Sequence, residues 1–475
     1  MNNDIRSTYS NSTRRENGSP TEKYDEEDLR PNYSRKQRLA NKLKNYFPHY
    51  SLQTSGVVKI KERPTWILCI AYGMQHVLAM FSGVIILPLI LGYDSNTSLF
   101  FSGLSTIVFF IVTGGRVPAY LGCSGSATSI ILSITGYDYT SSSGLNPNTS
   151  QVQGAMLILS ILYTIVAVIV IIFGYAWLEF LMPPVVTGSI ITSIGIHLAF
   201  ISYSEITKSP FDSYMSAVTA GSIILISIYA PTKSLRRISL LLGAIIGYAV
   251  HAICGTKNIG PTINYSEIVS SPWLRAPTIH YNIEFNEHSI GMMMPLLIIL
   301  LAENLGHMKA IESIMTNEKP LMKYVGRAYL GDAFGCMMAS LGGTLPFTTY
   351  ADNIGVLSVT QVFSTLVILC AAVIAMLLGF FAKFSAIVGS IPAGVLGGVT
   401  LILYSLITIT GIKIWVDNKV DFNGGIPVVL AAVIQTPLKL GILQLDGIGV
   451  ATFLSIILHQ LLRGHEFLKH CMRRN

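Results

Sequence analysis

The chain has 475 residues, 51% of them hydrophobic and only 12% charged, about half the charged share of roughly 25% found in soluble globular proteins. Lys and Arg number 32 against 25 Asp and Glu, a formal net charge of +7, and most of that excess stands before residue 65, where 13 basic residues meet 8 acidic ones. This distribution excludes an ordinary soluble enzyme and a nucleic-acid-binding surface; it describes a chain embedded in a membrane.

Residues 1–63 are rich in Asn, Ser, Arg, Lys and Glu, carry an acidic knot at Asp25, Glu26, Glu27 and Asp28, and hold no apolar run able to bury a core. That composition predicts a disordered tail. No apolar stretch near Met1 reads as a cleaved leader, so the first span is expected to direct insertion. Basic residues from Arg35 to Arg63 approach the first apolar run, and Arg463, Lys469, Arg473 and Arg474 close the far end. The positive-inside rule then places both ends in the cytoplasm, which requires an even number of spans.

Apolar runs of spanning character follow at Trp66–Leu91, Leu99–Thr113, Val152–Phe173, Trp177–Ile201, Ala217–Ile228 and Ser239–Cys254. After the polar stretch Gly255–His288 a second set comprises Ile290–Leu305, Val325–Leu341, Val362–Ala382, Ala386–Ile409, Ile426–Ile434 and Ile448–Leu462. Val117–Leu132 and Leu345–Thr360 are too polar and too interrupted for continuous helices. Each opens on an apolar residue and a proline (Val117-Pro118, Leu345-Pro346) and passes through small or hydroxylated residues into an apolar stretch. Counting both gives fourteen spans.

The two interrupted segments occupy the same place in each half. Met182-Pro183 followed by Gly188 likewise matches Ile391-Pro392 followed by Gly397. Two repeats of seven spans are the economical reading: a first repeat at 64–255, a connecting loop at 256–288, a second repeat at 289–462 and a short tail at 463–475. Chain that is not helical at membrane depth is tolerated only where it is buried in protein or lines a polar cavity, so the interrupted segments locate the site. Half-helix amino termini meeting there would offer N–H groups and a positive dipole end to carbonyl oxygens or to an anion.

Ionisable side chains inside apolar runs are few: His76, His197, Glu303, His307, Asp332, Asp352 and Lys383. Such residues are functional candidates by default. Glu303 and His307 stand four apart in AENLGHM, on one helix face, where imidazole and carboxylate could bond or share a proton; a purely structural buried pair is the other reading. Asp352 in TTYADNIGV either points into the cavity or caps the helix that follows. Asp332 is expected near a membrane surface or an interdomain contact, and His76 and His197 as interior histidines. The six cysteines are scattered without a CxxC pair, which suggests neither a disulfide framework nor a zinc site. There is no GxxxxGK[ST] loop, HExxH or GxSxG motif, so neither ATP-driven transport nor intramembrane hydrolysis is indicated and an ion gradient is the expected energy source.

The stretches QHVLAMFSGVIILP, VPAYLGCSGS, AENLGHM, TTYADNIGV and IPAGVLGGVTLILY, in that order between Gln75 and Tyr404, give the chain its resemblance to the nucleobase–ascorbate transporters, in particular microbial uracil and xanthine permeases. The resemblance implies an all-α polytopic membrane protein of fourteen spans in two inverted seven-span repeats, with core and gate domains, two broken spans with short extended segments, homodimers and elevator-like movement. It implies that Glu303 holds a nucleobase, that His307 supports proton coupling, that Asp352 ahead of Asn353 makes the second side-chain contact, and that Ala351, Tyr350 and Gly83 complete the pocket. Gly125 stands where relatives carry an aromatic residue, and Gln361 where Arg or Lys is common. A carboxylate at Asp352 favours uracil, since purine carriers often have glutamine there. Xanthine or urate is the alternative, and an anion transporter or channel of the same architecture is the alternative of another class. No cofactor is expected; the coupling ion is a proton, with sodium open. The partners expected are the nucleobase, the bilayer and a second copy, with no nucleic acid. The expected location is the plasma membrane.

Overall fold

The computed structural model describes residues 46–53, 56–80, 82–137, 145–181, 183–207, 209–231, 235–236, 239–279, 282–315, 320–420, 438–440, 443–445, 450 and 453–463. The expectations for residues 1–45 and 464–475, and for the span Ile426–Ile434, lie outside the described residues.

Part of the stretch that composition assigns to a disordered tail is fastened to the protein. Strand β1 (Ser51–Leu52) pairs in parallel with β2 (Glu62–Arg63). Between them the Val58 N–H donates to the Gln361 carbonyl at 3.0 Å, and the Val58 carbonyl accepts from Phe363 N–H at 2.8 Å. Phe47 stacks on Phe110 with ring centroids 5.6 Å apart, and the Tyr50 hydroxyl pairs with that of Thr365 at 2.7 Å. The apolar residues here are too sparse to read as an element. A few anchors suffice because main-chain bonds to a neighbouring strand-like segment carry the rest.

The principal helices that follow are α1 (Trp66–Ala79), α2 (Ser95–Thr113), α3 (Thr128–Thr135), α4 (Thr149–Phe173), α5 (Pro184–Ile206), α6 (Pro210–Tyr229), α7 (Ser239–Thr256), α8 (Glu287–Ile314), α9 (Val325–Gly342), α10 (Ala351–Thr360), α11 (Thr365–Leu378) and α12 (Ala393–Asp417). Among the described residues five helices are long and apolar enough to cross a membrane, or six when a bent pair near the start counts as one span. That pair corrects one expectation. The run Trp66–Leu91 is not continuous: α1 gives way to a π-helical turn at Ser82–Ile86 and a short helix at Leu87–Ile90, with a bend of 53°. Pro88 lacks the N–H that would bond the carbonyl four residues back, and the wider turn accommodates that loss.

The helices pack in two groups. In one, α9 lies against α2 and α4, α11 against α1 and α2, and α8 against α4; in the other, α12 runs along α5 and α6, and α7 packs on α6. The α5–α12 crossing is close because glycines line it: a Cβ at Gly188 would meet the Trp415 ring and the Gly411 carbonyl. Small residues that let backbones approach are the ordinary means of helix association where lipid supplies no hydrophobic drive. The proline pairs noted in the sequence sit immediately before these two helices, Pro183 ahead of Pro184 at the first position of α5 and Pro392 as the residue capping α12.

Both interrupted segments depart from helix as expected. Strand β3 (Leu121–Cys123) and strand β4 (Phe347–Thr349) pair antiparallel, with Leu121 opposite Thr349, Gly122 opposite Thr348 and Cys123 opposite Phe347. Bonds from Ser124 N–H to the Pro346 carbonyl and from Tyr350 N–H to the Tyr120 carbonyl, 2.8 and 2.9 Å, extend the ladder. Its outer edges are satisfied by side chains from α2 and α9. The Thr106 hydroxyl accepts from Leu121 N–H at 3.0 Å, the Ser102 hydroxyl donates to the Leu121 carbonyl at 2.6 Å, and the Cys336 thiol donates to the Phe347 carbonyl at 3.0 Å. An extended pair survives amid apolar helices only with such partners.

Candidate functional site

A cavity of about 60 Å³ opens where the chain at the strand ends meets α8. It is lined by Cys123, Ser124 and Gly125 from the first interrupted segment, Glu303 and His307 from α8, Thr348 through Asp352 from the second, and Ile191 from α5. Of the residues singled out from the sequence, Glu303, His307, Asp352, Ala351, Tyr350 and Gly125 therefore line one space.

Gly83 and Asn353 do not. Gly83 lies behind Tyr350, and a Cβ there would collide with the tyrosine hydroxyl; its smallness makes room for the ring rather than for a ligand. Asn353 is turned away from the cavity, its amide nitrogen 3.0 Å from His76 Nδ1 and donating to the His76 carbonyl at 3.2 Å. The buried His76 thus ties α1 to the first turn of α10.

Glu303 and His307 stand on one face of α8 as their spacing requires, yet each bonds elsewhere. The Ser124 hydroxyl donates to Glu303 Oε2 at 3.1 Å and lies 2.6 Å from the Ser126 hydroxyl. His307 Nδ1 meets the Thr349 hydroxyl at 3.0 Å. Ser124, the residue after β3, holds the carboxylate, and Thr349 of β4 holds the imidazole.

Asp352 lies in the first turn of α10, where the leading N–H groups have no intrahelical acceptor. Tyr350 is the capping residue, with no side-chain cap bond, so capping by Asp352, one of the two readings of the sequence, is not what the structure displays. Its buried Oδ2 has no hydrogen-bond partner. An acceptor oxygen left over inside a cavity beside a second carboxylate is an arrangement suited to a ligand bearing N–H donors.

Asp332, expected near a membrane surface or an interdomain contact, is fully buried. One of its oxygens accepts from the Asn304 amide at 2.7 Å, the Thr348 hydroxyl at 3.0 Å, the Thr349 N–H at 3.4 Å and the Tyr163 hydroxyl at 3.4 Å. It knits β4 to α8 immediately behind the cavity. The sequence signal missed was the polar Asn304 beside Glu303, which needs a buried partner. Lys383 stands apart from the site, donating to the Ile268 carbonyl at 2.9 Å and lying over the Trp273 ring. The His197 side chain lies outside the described residues. Ser124, Thr349 and Ile191 had no individual signal in the sequence.

Helices crossing a bilayer, a hydrogen-bonded pair of broken segments and a polar cavity where they meet define a membrane transporter of the broken-helix class. Residues 68–443 match the profile of the permease family of xanthine and uracil permeases, and the chain belongs to this family, the nucleobase–ascorbate transporters. It is 38% identical over 428 residues, 88% of this chain and 95% of the relative, to RutG of Escherichia coli K12, described as a candidate pyrimidine permease. It is 31% identical to the uracil permease of Bacillus caldolyticus, covering 86% of this chain and 95% of that one, and 28% identical to the uracil permease of Escherichia coli K12, covering 85% and 93%. These relatives are permeases and not enzymes, and they support a uracil-type transporter.

Among solved structures the fold resembles SLC26A9, with a TM-score of 0.60 at 10% identity over 84% of this chain and 65% of that one, just under two thirds of its length. It also resembles the transmembrane domain of the cyanobacterial bicarbonate transporter BicA, with a TM-score of 0.55 at 16% identity over 85% of this chain and 99% of that domain. At such identities the likeness is one of fold, that of a helical polytopic membrane transporter.

Proposed function

We propose that the chain imports a nucleobase, uracil before others, by proton symport across the plasma membrane. The observation that carries this reading is the convergence of Glu303, Asp352 and the first turn of α10 on one small cavity. Uracil has two ring N–H donors and two carbonyl acceptors; two carboxylates suit the donors, and main-chain N–H groups at Ala351 and Asp352 suit the carbonyls. Glu303 holds the base and is the proton-coupling group, with His307 beside it on the same helix face. An anion is disfavoured, because two carboxylates in one cavity repel it. Xanthine or urate is the second reading within the class; the carboxylate at Asp352 favours uracil.

The same reading takes the two packing groups as core and gate of a fourteen-span protein built from inverted repeats. The core slides against the gate as an elevator, the chain pairs as a homodimer, and both termini are cytoplasmic. Gly125, small where relatives place an aromatic, leaves the base without a stacking ring on that side. The test is uptake of labelled uracil and xanthine by cells expressing the chain, at acidic and neutral outside pH, with and without a protonophore. Uracil uptake that rises in acid and collapses with the protonophore is the expected result. Uptake that instead follows external sodium would replace the proton, and no uptake of either base by surface-expressed protein would overturn the reading.

A further inference from the structure

Ile191 is the one cavity-lining residue, among those described, that comes from the α5–α6–α7–α12 group. It is buried, and it is an aliphatic wall in a cavity whose chemistry is otherwise set by Ser124, Glu303, His307, Thr348, Thr349 and Asp352. A pyrimidine-dione ring has its donors and acceptors along N1, C2, N3 and C4. Its remaining edge, C5–C6, is apolar and has no use for any of those polar groups.

A second cavity, about 370 Å³, adjoins the first and shares His307 with it. Thr187, one helical turn before Ile191 on α5, and Gly306, next to His307 on α8, both line this larger space. A Cβ placed on Gly306 would lie 3.6 Å from the tip of Ile191, 3.6 Å from the Thr187 methyl and 3.5 Å from Ile414. The α5–α8 seam therefore runs from the larger cavity to the smaller one, and Ile191 stands where they meet.

We infer that Ile191 is the specificity-determining residue for the apolar edge of the base: it covers C5–C6 and excludes bases that carry a substituent or a fused ring there. The inference rests on the nucleobase reading above. It assigns discrimination between uracil and 5-methyl or bicyclic bases to an aliphatic side chain on α5, while the carboxylates fix the polar edge. Hydrophobic pockets discriminate by size at roughly 10–200-fold per methylene, so trimming this side chain has a measurable effect on selectivity.

The experiment is competition of labelled uracil uptake by unlabelled thymine and xanthine in the full-length chain, comparing wild type with Ile191→Val, Ile191→Ala and Ile191→Phe at matched surface levels. The quantity read is each competitor's half-inhibitory concentration relative to that of unlabelled uracil. Ile191→Ala is expected to lower the thymine ratio at least about tenfold and to lower the xanthine ratio as well. Ile191→Val should shift both in the same direction by a smaller factor, and Ile191→Phe in the opposite direction. If Ile191→Ala does not reach the membrane, the Val and Phe pair carries the test by the opposite signs of their shifts. Ratios that stay flat across the series while wild type takes up uracil overturn this inference and leave the nucleobase reading standing. A wild type that takes up no base overturns both.

Discussion

The segment from Leu121 to Thr135 brings Cys123, Ser124 and Gly125 to the cavity and no charged side chain, whereas the segment from Phe347 to Thr360 brings Asp352 together with Thr348, Thr349, Tyr350 and Ala351. The two are joined in one antiparallel ladder and open on similar sequence, yet their contributions differ. The first supplies a neutral hydroxyl that holds Glu303 in place; the second supplies a carboxylate of its own, the amides of a ten-residue helix and the hydroxyl that meets His307. Two segments alike in backbone can thus divide a site into a supporting side and a contacting side, and substitutions that treat them separately can expose the division.

The largest effect is expected where both sides meet. Glu303→Gln keeps the size of the side chain and removes the charge to which Ser124 donates. Uptake should fall by at least about a hundredfold, since bonds to a charged group contribute roughly 1.5–3 kcal/mol each and the proposed coupling group is lost as well. Surface labelling and size-exclusion profile should be unchanged. Uptake near the wild-type level from this variant would remove Glu303 from the site.

Asp352→Asn isolates the contacting side. Replacing the unpartnered Oδ2 by an N–H donor sets donor against donor at a uracil ring nitrogen, and about a tenfold or greater rise in half-saturating uracil is expected. Asp352→Gln sharpens the point: it should improve the relative uptake of xanthine, read as the ratio of the two labelled bases. An unchanged ratio in both variants would make Asp352 a structural residue.

Gly83→Ala probes the backing of the contacting side from behind the cavity-lining Tyr350. The added methyl would occupy the place of the Tyr350 hydroxyl, and overpacking of this kind costs about 1–3 kcal/mol. The variant should lose thermal stability in detergent, and Tyr350→Phe in the same chain should recover part of the loss by removing the colliding oxygen. Absence of any recovery would mean that the clash is relieved by movement of the helix instead.

Much of this division was legible in the sequence. Prolines followed by small and hydroxylated residues mark where a helix cannot continue, and a four-residue spacing puts Glu303 and His307 on one face whatever the rest of the chain does. What was not legible depends on meetings across long separations. Ser124 and Glu303 are 179 residues apart, His76 and Asn353 are 277 apart, and no local pattern pairs them. The same holds for Asp332, whose role is visible only once β4 lies against α8. The anchored stretch around Val58 was missed for a different reason: main-chain bonds to Gln361 and Phe363 leave almost no trace in composition. Ile191 is one isoleucine among many in an apolar helix, and only its place in the cavity wall singles it out.

The smallest expected effect compares the two hydroxyls directly. Ser124→Ala and Thr349→Val each delete one hydroxyl with little change of shape, so each should cost about 1 kcal/mol, roughly a fivefold change. They act on different partners, however. Ser124→Ala frees the carboxylate proposed to receive the base, and should raise half-saturating uracil while leaving maximal uptake nearly unchanged. Thr349→Val leaves His307 without its Nδ1 partner; if the imidazole serves proton transfer, maximal uptake should fall and the stimulation by outside acid should weaken, with half-saturation little altered. Measuring uptake against uracil concentration at two outside pH values separates these patterns. Should both variants move half-saturation alone, the two strands would hold the site in the same way, and the contrast between a supporting and a contacting side would reduce to the single charge at Asp352.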